Sequence, residues 1–169
     1  MKSSSQQARK GNAETGTPKL PASVSVLVPG MTRLDKDSAH NFSKLGEEYL
    51  EAAKVLNRHY ENSPEWPTFF LACTALELYL KAFLRIKGVS IGDLKSRTKF
   101  GHDLMRCFIR SKELGLVLPF EGNLESAIEV LNEYYRDREF QYAGSGSWEL
   151  VAPSDLITLL EKLGCKLRY

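Results

Sequence analysis

Between Trp66 and Lys87 the chain offers a helix with almost no polar face. Phe69-Phe70-Leu71-Ala72-Cys73 and Leu78-Tyr79-Leu80 fill most of it. Pro67 suits the first turn, where a missing N–H costs nothing, and Gly88 ends the run. Thr74, Glu77, Lys81 and Arg85 are the exceptions, at spacings of three, four and four, and they form one narrow polar stripe. A helix this apolar has to be surrounded, either by its own bundle or by a second subunit. Glu77 preceding Lys81 by one turn is the favourable order for an ion pair. That pair is expected inside the bundle, near the start of the next long helix.

The rest of the body reads as helices that could supply the surroundings. Ser38 is a plausible N-cap for a helix over about 38–60, with Phe42, Leu45, Tyr49, Ala53 and Leu56 inward. Ser63-Pro64-Glu65-Trp66-Pro67 breaks it. Residues 88–101 read as a basic loop. A third helix over about 102–113 turns Leu104, Cys107, Phe108 and Ser111 to one side, and Gly115 and Pro119 close it. A fourth, about 121–136, has Leu124, Ile128, Leu131 and Tyr135 inward and Glu121, Glu125, Glu129 and Glu133 outward. Residues 137–152 read as irregular, with Gly144-Ser145-Gly146-Ser147 a flexible tip. A fifth helix starts near Pro153, capped by Ser154 or Asp155, buries Leu156, Leu159, Leu160 and Leu163, and ends at Gly164. The expectation is an all-α, antiparallel bundle of about five helices, 38–169, behind a disordered or extended tail, 1–37. In that tail the polar stretch 1–23 is too poor in apolar residues to fold, and Val24, Val26 and Val28 form a short extended arm.

At 169 residues and 19.1 kDa the chain is long enough for one core. No apolar run reaches the roughly 18 residues that cross a bilayer, so no membrane role is expected. Residues 1–11 lack the apolar core of a secretory signal. Cys73, Cys107 and Cys165 are too widely spaced for a disulfide framework or a zinc site, and they read as buried thiols in a reducing cytoplasm.

Charge is distributed unevenly. Residues 81–112 hold nine basic residues against two acidic, and residues 113–161 hold ten acidic against two basic. Either the basic segment meets an anionic partner, or the two segments face and neutralise each other. For a nucleic-acid or nucleotide partner the binding candidates are Lys95, Lys99, Arg106 and Arg110. There is no phosphate-binding glycine loop, no H-E-x-x-H, no nucleophile elbow and no metal-ligand cluster, so neither a metal nor a cofactor is expected. The one constellation with chemistry in it is Arg97-Thr98-Lys99-Phe100-Gly101-His102-Asp103-Leu104. Arg97 supplies a permanent charge for a phosphate and His102 exchanges a proton near neutral pH. Together they are the minimum for metal-free cleavage of RNA by its own 2′-hydroxyl. The plainer alternative is that His102 holds the loop by a hydrogen bond, while Asp103 favours the positive end of the third helix.

The run Ala75-Leu76-Glu77-Leu78-Tyr79-Leu80-Lys81-Ala82, then Lys87-Gly88, then Gly101-His102-Asp103-Leu104, resembles the HEPN superfamily (higher eukaryote and prokaryote nucleotide-binding domains). Residues 132–142, with Tyr134, Tyr135, Arg138, Phe140 and Tyr142, are similar to the tyrosine- and arginine-rich segment of these domains. The resemblance covers about 38–163. It implies an antiparallel helical bundle that commonly forms a homodimer. It also implies company among toxin–antitoxin and phage-defence ribonucleases, partners of small nucleotidyltransferases, and binding modules. The family's ribonucleases carry R-x(4–6)-H near the last core helix. Here no histidine follows Arg136 or Arg138 at that spacing, and Arg97 to His102 is the pair that matches. The expectation is therefore a cytoplasmic, prokaryotic, dimeric module for RNA, a nucleotide or a partner protein such as a nucleotidyltransferase or antitoxin. The alternative is a metal-independent endoribonuclease using Arg97 and His102.

Overall fold

Helix α1, Ala39–His59, begins where Ser38 predicts it: the Ser38 hydroxyl accepts from the Asn41 amide at 3.1 Å. Helix α2, Trp66–Ile86, begins with a proline in its first turn. Then come α3, Ile91–Lys95, α4, Leu104–Glu113, and α5, Glu121–Arg136. A 3₁₀ turn, Glu139–Gln141, precedes α6, Pro153–Lys166. These elements come from a computed structural model, which describes residues 37–60, 65–141 and 150–167. The expected tail before Asp37, its valine arm, the Ser63-Pro64 break and the glycine-serine tip lie outside the described residues. Among the described residues there is no strand, and no helix is long and apolar enough to cross a membrane.

The fold is an all-α bundle organised around α2. Thirteen of its residues are buried, so contacts must come from every side, and α1, α4, α5, α6 and the 3₁₀ turn all touch it. Helices α1 and α2 form an antiparallel hairpin in which Gly46 lies against Tyr79. Helices α4 and α5 form a second antiparallel pair, with Leu104 beside Asn132 at one end and Lys112 beside Glu121 and Glu125 at the other. The inward residues expected on α4 are those found, Leu104, Cys107, Phe108 and Ser111. On α5 and α6 the expected inward residues are also buried.

Four local readings differ from expectation. The basic loop 88–101 contains a sixth helix, α3, because Ser90 caps it by accepting from the Asp93 amide and fully buried Leu94 anchors it. On α1 the buried stripe runs through Phe42, Gly46, Leu50, Ala53 and Asn57, while Leu45 and Tyr49 are half-buried. The cause is Gly46, whose missing side chain admits the Tyr79 ring. Helix α6 has Ala152 at its cap position, not Ser154 or Asp155, and it runs through Gly164 to Lys166. A Cβ at Gly164 would lie 2.8 Å from the Tyr79 hydroxyl oxygen, so this glycine serves close packing and not a helix end. Finally, Cys73 and Cys107 are buried but Cys165 is exposed on the outer face of α6. Burial pushes the Cys107 thiol up to about 12, which leaves it protonated and inert at neutral pH.

Three helices end in a residue with left-handed backbone. Gly88 (φ 87°) follows α2 and its amide donates to the Arg85 carbonyl; Gly115 (φ 93°) follows α4 and donates to Lys112. The third turn follows α5, where the Arg138 amide donates to the Tyr135 carbonyl with φ 64°. Glycine is the usual residue in this position because it has no Cβ to clash.

Candidate functional site

The polar stripe of α2 is the root of the site. Glu77 and Lys81 are both buried, and the Lys81 ammonium donates to Glu77 Oε1 at 2.6 Å. The same ammonium donates to the Gly101 carbonyl at 2.6 Å. Gly101 can present that carbonyl because it adopts φ 45° in a turn so tight that a Cβ would sit 3.0 Å from the Arg97 Cα. The expected pair is thus inside the bundle and beside the start of α4.

Glu77 Oε2 receives two further donors. The Tyr135 hydroxyl, from α5, donates at 2.7 Å, and His102 Nδ1 lies at 3.0 Å. Thr74 Oγ1 is 3.3 Å from the same tyrosine hydroxyl and gives its own proton to the Phe70 carbonyl at 2.7 Å. Burial alone would push the Glu77 carboxyl up. The bonds from His102, Lys81 and Tyr135, with the Lys81 charge, outweigh burial and hold it below the ordinary carboxylate value. Burial, then the Glu77 charge, push the Tyr135 phenol far upward, so it remains a donor. An ionised Glu77 can only accept, so the 3.0 Å contact requires the proton on His102 Nδ1. In the neutral imidazole Nε2 is then left with a free lone pair. The His102 side chain is 49% exposed, which keeps that nitrogen within reach of a ligand.

The turn that carries His102 is held from a second helix. Asn132 Oδ1 accepts from the Leu104 amide at 2.7 Å and the Met105 amide at 3.3 Å, and Asn132 Nδ2 donates to Asp103 Oδ1 at 3.3 Å. Asp103 also caps α4, accepting from the Arg106 amide at 3.0 Å. The plainer reading, with His102 holding the loop by a hydrogen bond and Asp103 at the positive end of the helix, therefore describes their contacts.

These elements surround an open cleft of about 410 Å³. Arg97, Arg106, Arg136 and Arg138 line it together with His102 and Phe100. Asp103 and Asp137 are the acidic residues of the lining. A smaller cavity of about 170 Å³ adjoins it, walled by Phe70, Leu78 and Tyr135, and only His102 and Arg138 line both. Arg106 is engaged with Asp103 at 3.2 Å and with the Thr98 carbonyl at 2.8 Å. Arg136 is engaged with Asp137 at 3.1 Å. Arg97 and Arg138 have no ion-pair partner among the described residues.

The structure sorts the sequence candidates by position. Arg97, His102 and Arg106 line the cleft. Lys95 pairs with Asp37, Lys99 with Asp93 and Arg110 with Glu113, and none of the three lines it. Part of the acidic stripe neutralises the basic segment, since Lys112 reaches Glu121 at 2.7 Å and Glu125 at 3.1 Å. Arg136 and Arg138, absent from the binding candidates, supply half of the arginines in the cleft. Their signal was two arginines at a helix end, and only the antiparallel return of α5 along α4 carries them to Arg97. Among the described residues no group of three or more metal-ligating side chains gathers. No family model, curated protein or solved structure matches the chain.

Proposed function

We propose that the chain is a HEPN-like binding module whose cleft takes the phosphates of single-stranded RNA, working as a homodimer in a prokaryotic cytoplasm. The carrying observation is the cleft itself: four arginines from two parts of the chain and an exposed imidazole converge on one space of about 410 Å³. Guanidinium groups suit phosphate oxygens because their planar donor fork can bind two at once. The two halves of the resembled pattern also touch, Glu77 against His102 and Lys81 against Gly101, which supports reading them as one device. Phe70, Leu71 and Leu78 remain only half-buried on α2, an apolar face that favours a second copy. A labelled single-stranded oligoribonucleotide at low salt tests the cleft. Binding that weakens in Arg97→Ala supports the reading, and no binding at high protein concentration rejects it. Light scattering at micromolar concentration should give about twice 19.1 kDa, and a clean monomer rejects the dimer.

A second reading is favoured by one observation, the 3.0 Å contact that orients His102 against ionised Glu77. In an endoribonuclease, Nε2 of His102 takes the proton of a ribose 2′-hydroxyl. The freed oxygen attacks the adjacent phosphorus to form a 2′,3′-cyclic phosphate, the bond to the 5′-oxygen breaks and that oxygen takes a proton from water, and Arg97 stabilises the charge on the phosphorane. Incubation with cellular RNA in EDTA separates the readings: cleavage lost in His102→Ala selects the enzyme, and intact RNA selects the module.

A further inference from the structure

We infer that Arg138 is an affinity-determining residue of the cleft, held in a left-handed backbone so that its guanidinium can grip a phosphate ester. This rests on the reading of the cleft as a phosphate site. Helices α2, α4 and α5 each end in a residue with positive φ whose amide donates three residues back, and the first two use Gly88 and Gly115 where the third uses Arg138. A non-glycine residue with positive φ crowds its Cβ against its own backbone, and such strain persists where something else depends on it. The turn itself leads into Glu139–Gln141 and the buried Phe140, which packs against Trp66 and Phe69, but a glycine would make that turn with less strain, so this packing does not call for the arginine side chain. Arg138 is exposed, and among the described residues its side chain makes no ion pair.

Its position gives the reason. Arg138 and His102 are the two residues that line both the arginine cleft and the smaller aromatic-walled cavity. A ligand phosphate at that junction meets the Arg138 fork and the His102 ring together. The turn also fixes where the side chain leaves the chain, one residue past Asp137, which occupies the Arg136 guanidinium at 3.1 Å and 3.2 Å. Of the two arginines on this wall, Arg138 is therefore the one whose donors are uncommitted among the described residues.

The test uses the full chain and a labelled single-stranded oligoribonucleotide at low salt, with Arg138→Gly, Arg97→Ala and Arg58→Ala. Arg58 lies exposed on α1 and removes the same charge away from the cleft. Arg138→Gly relaxes the backbone, so its melting temperature should equal or exceed that of the unchanged protein. Its affinity should nonetheless fall about tenfold, the size of one charge-assisted contact. Arg58→Ala should stay within about twofold, as a single screened surface charge does. If Arg138→Gly binds as well as Arg58→Ala, or melts well below the unchanged protein, the inference is overturned. Loss of binding in Arg97→Ala alone would overturn it while leaving the phosphate reading standing. No binding by the unchanged protein removes both.

Discussion

The Tyr135 hydroxyl and the Glu77 carboxylate meet at 2.7 Å inside the bundle, joined from helices far apart in the sequence. With Lys81 and His102 on the same carboxylate, Glu77 ties the core to His102, which lines the cleft.

Removing that carboxylate should be costly. In Glu77→Ala the Lys81 ammonium stays buried with the Gly101 carbonyl as its remaining partner. Breaking one side of a buried pair costs about 3–5 kcal/mol, and chemical denaturation should show a loss of that order. A loss below about 1 kcal/mol, the level of an exposed pair, would contradict the buried placement.

Acid should erode the same contribution. The folded carboxyl titrates below its ordinary value of 4.5, so its ionised form is favoured by folding. A lowered folded value gives stability that is fully present above the unfolded value and is lost as pH falls through the folded one. The stability difference between the unchanged protein and Glu77→Gln should be constant above about pH 5 and shrink below the ordinary value of 4.5. A difference that instead grows on acidification would reverse the sign argued here.

Tyr79 is clasped between two glycines, one on α1 and one on α6. A Cβ at Gly46 would lie 2.9 Å from its ring carbons, and one at Gly164 would lie 2.8 Å from its hydroxyl oxygen. Alanine is the better helix former by about 1 kcal/mol, yet overpacking typically costs about 1–3 kcal/mol. Gly164→Ala should therefore destabilise. Combining it with Tyr79→Phe should cost less than the two changes added, because the clashing oxygen is gone. Simple additivity in thermal or urea melts would show that the ring is not the obstacle.

Salt separates the arginines of the cleft from the lysines beyond it. For single-stranded RNA each phosphate contact contributes a slope of about −0.7 in log affinity against log salt. Arg97→Ala should make the slope shallower by about one such increment, whereas Lys99→Ala should leave it unchanged. The reason is that Lys99 is engaged by Asp93 and does not line the cleft. Equal effects from the two changes would mean that binding senses net charge and not the cleft.

The parts of this architecture that repeat within one helix were readable from spacing. Leu104, Cys107, Phe108 and Ser111 share a face because of the helical period, and Glu77 reaches Lys81 across one turn. Ser38 announced its cap through a short hydroxyl side chain. What was not readable depends on absent atoms or on the return of the chain. Gly164 looks like a helix end until Tyr79 is seen against it. The meeting of Arg138 with Arg97 is fixed by the pairing of α4 with α5, where Asn132 grips the Leu104 amide. Nothing in either segment alone records that pairing.

The two bonds of Lys81 set a condition on any ligand. One ammonium fastens the Gly101 carbonyl to Glu77 in the interior, so the backbone between Arg97 and His102 takes its shape from the core and has it before anything arrives. A ligand therefore does not have to freeze that turn, and the ordering entropy that weakens many flexible recognition loops is largely settled during folding. Arrival rates for such a cleft should follow the encounter of opposite charges and not a slow rearrangement of the protein.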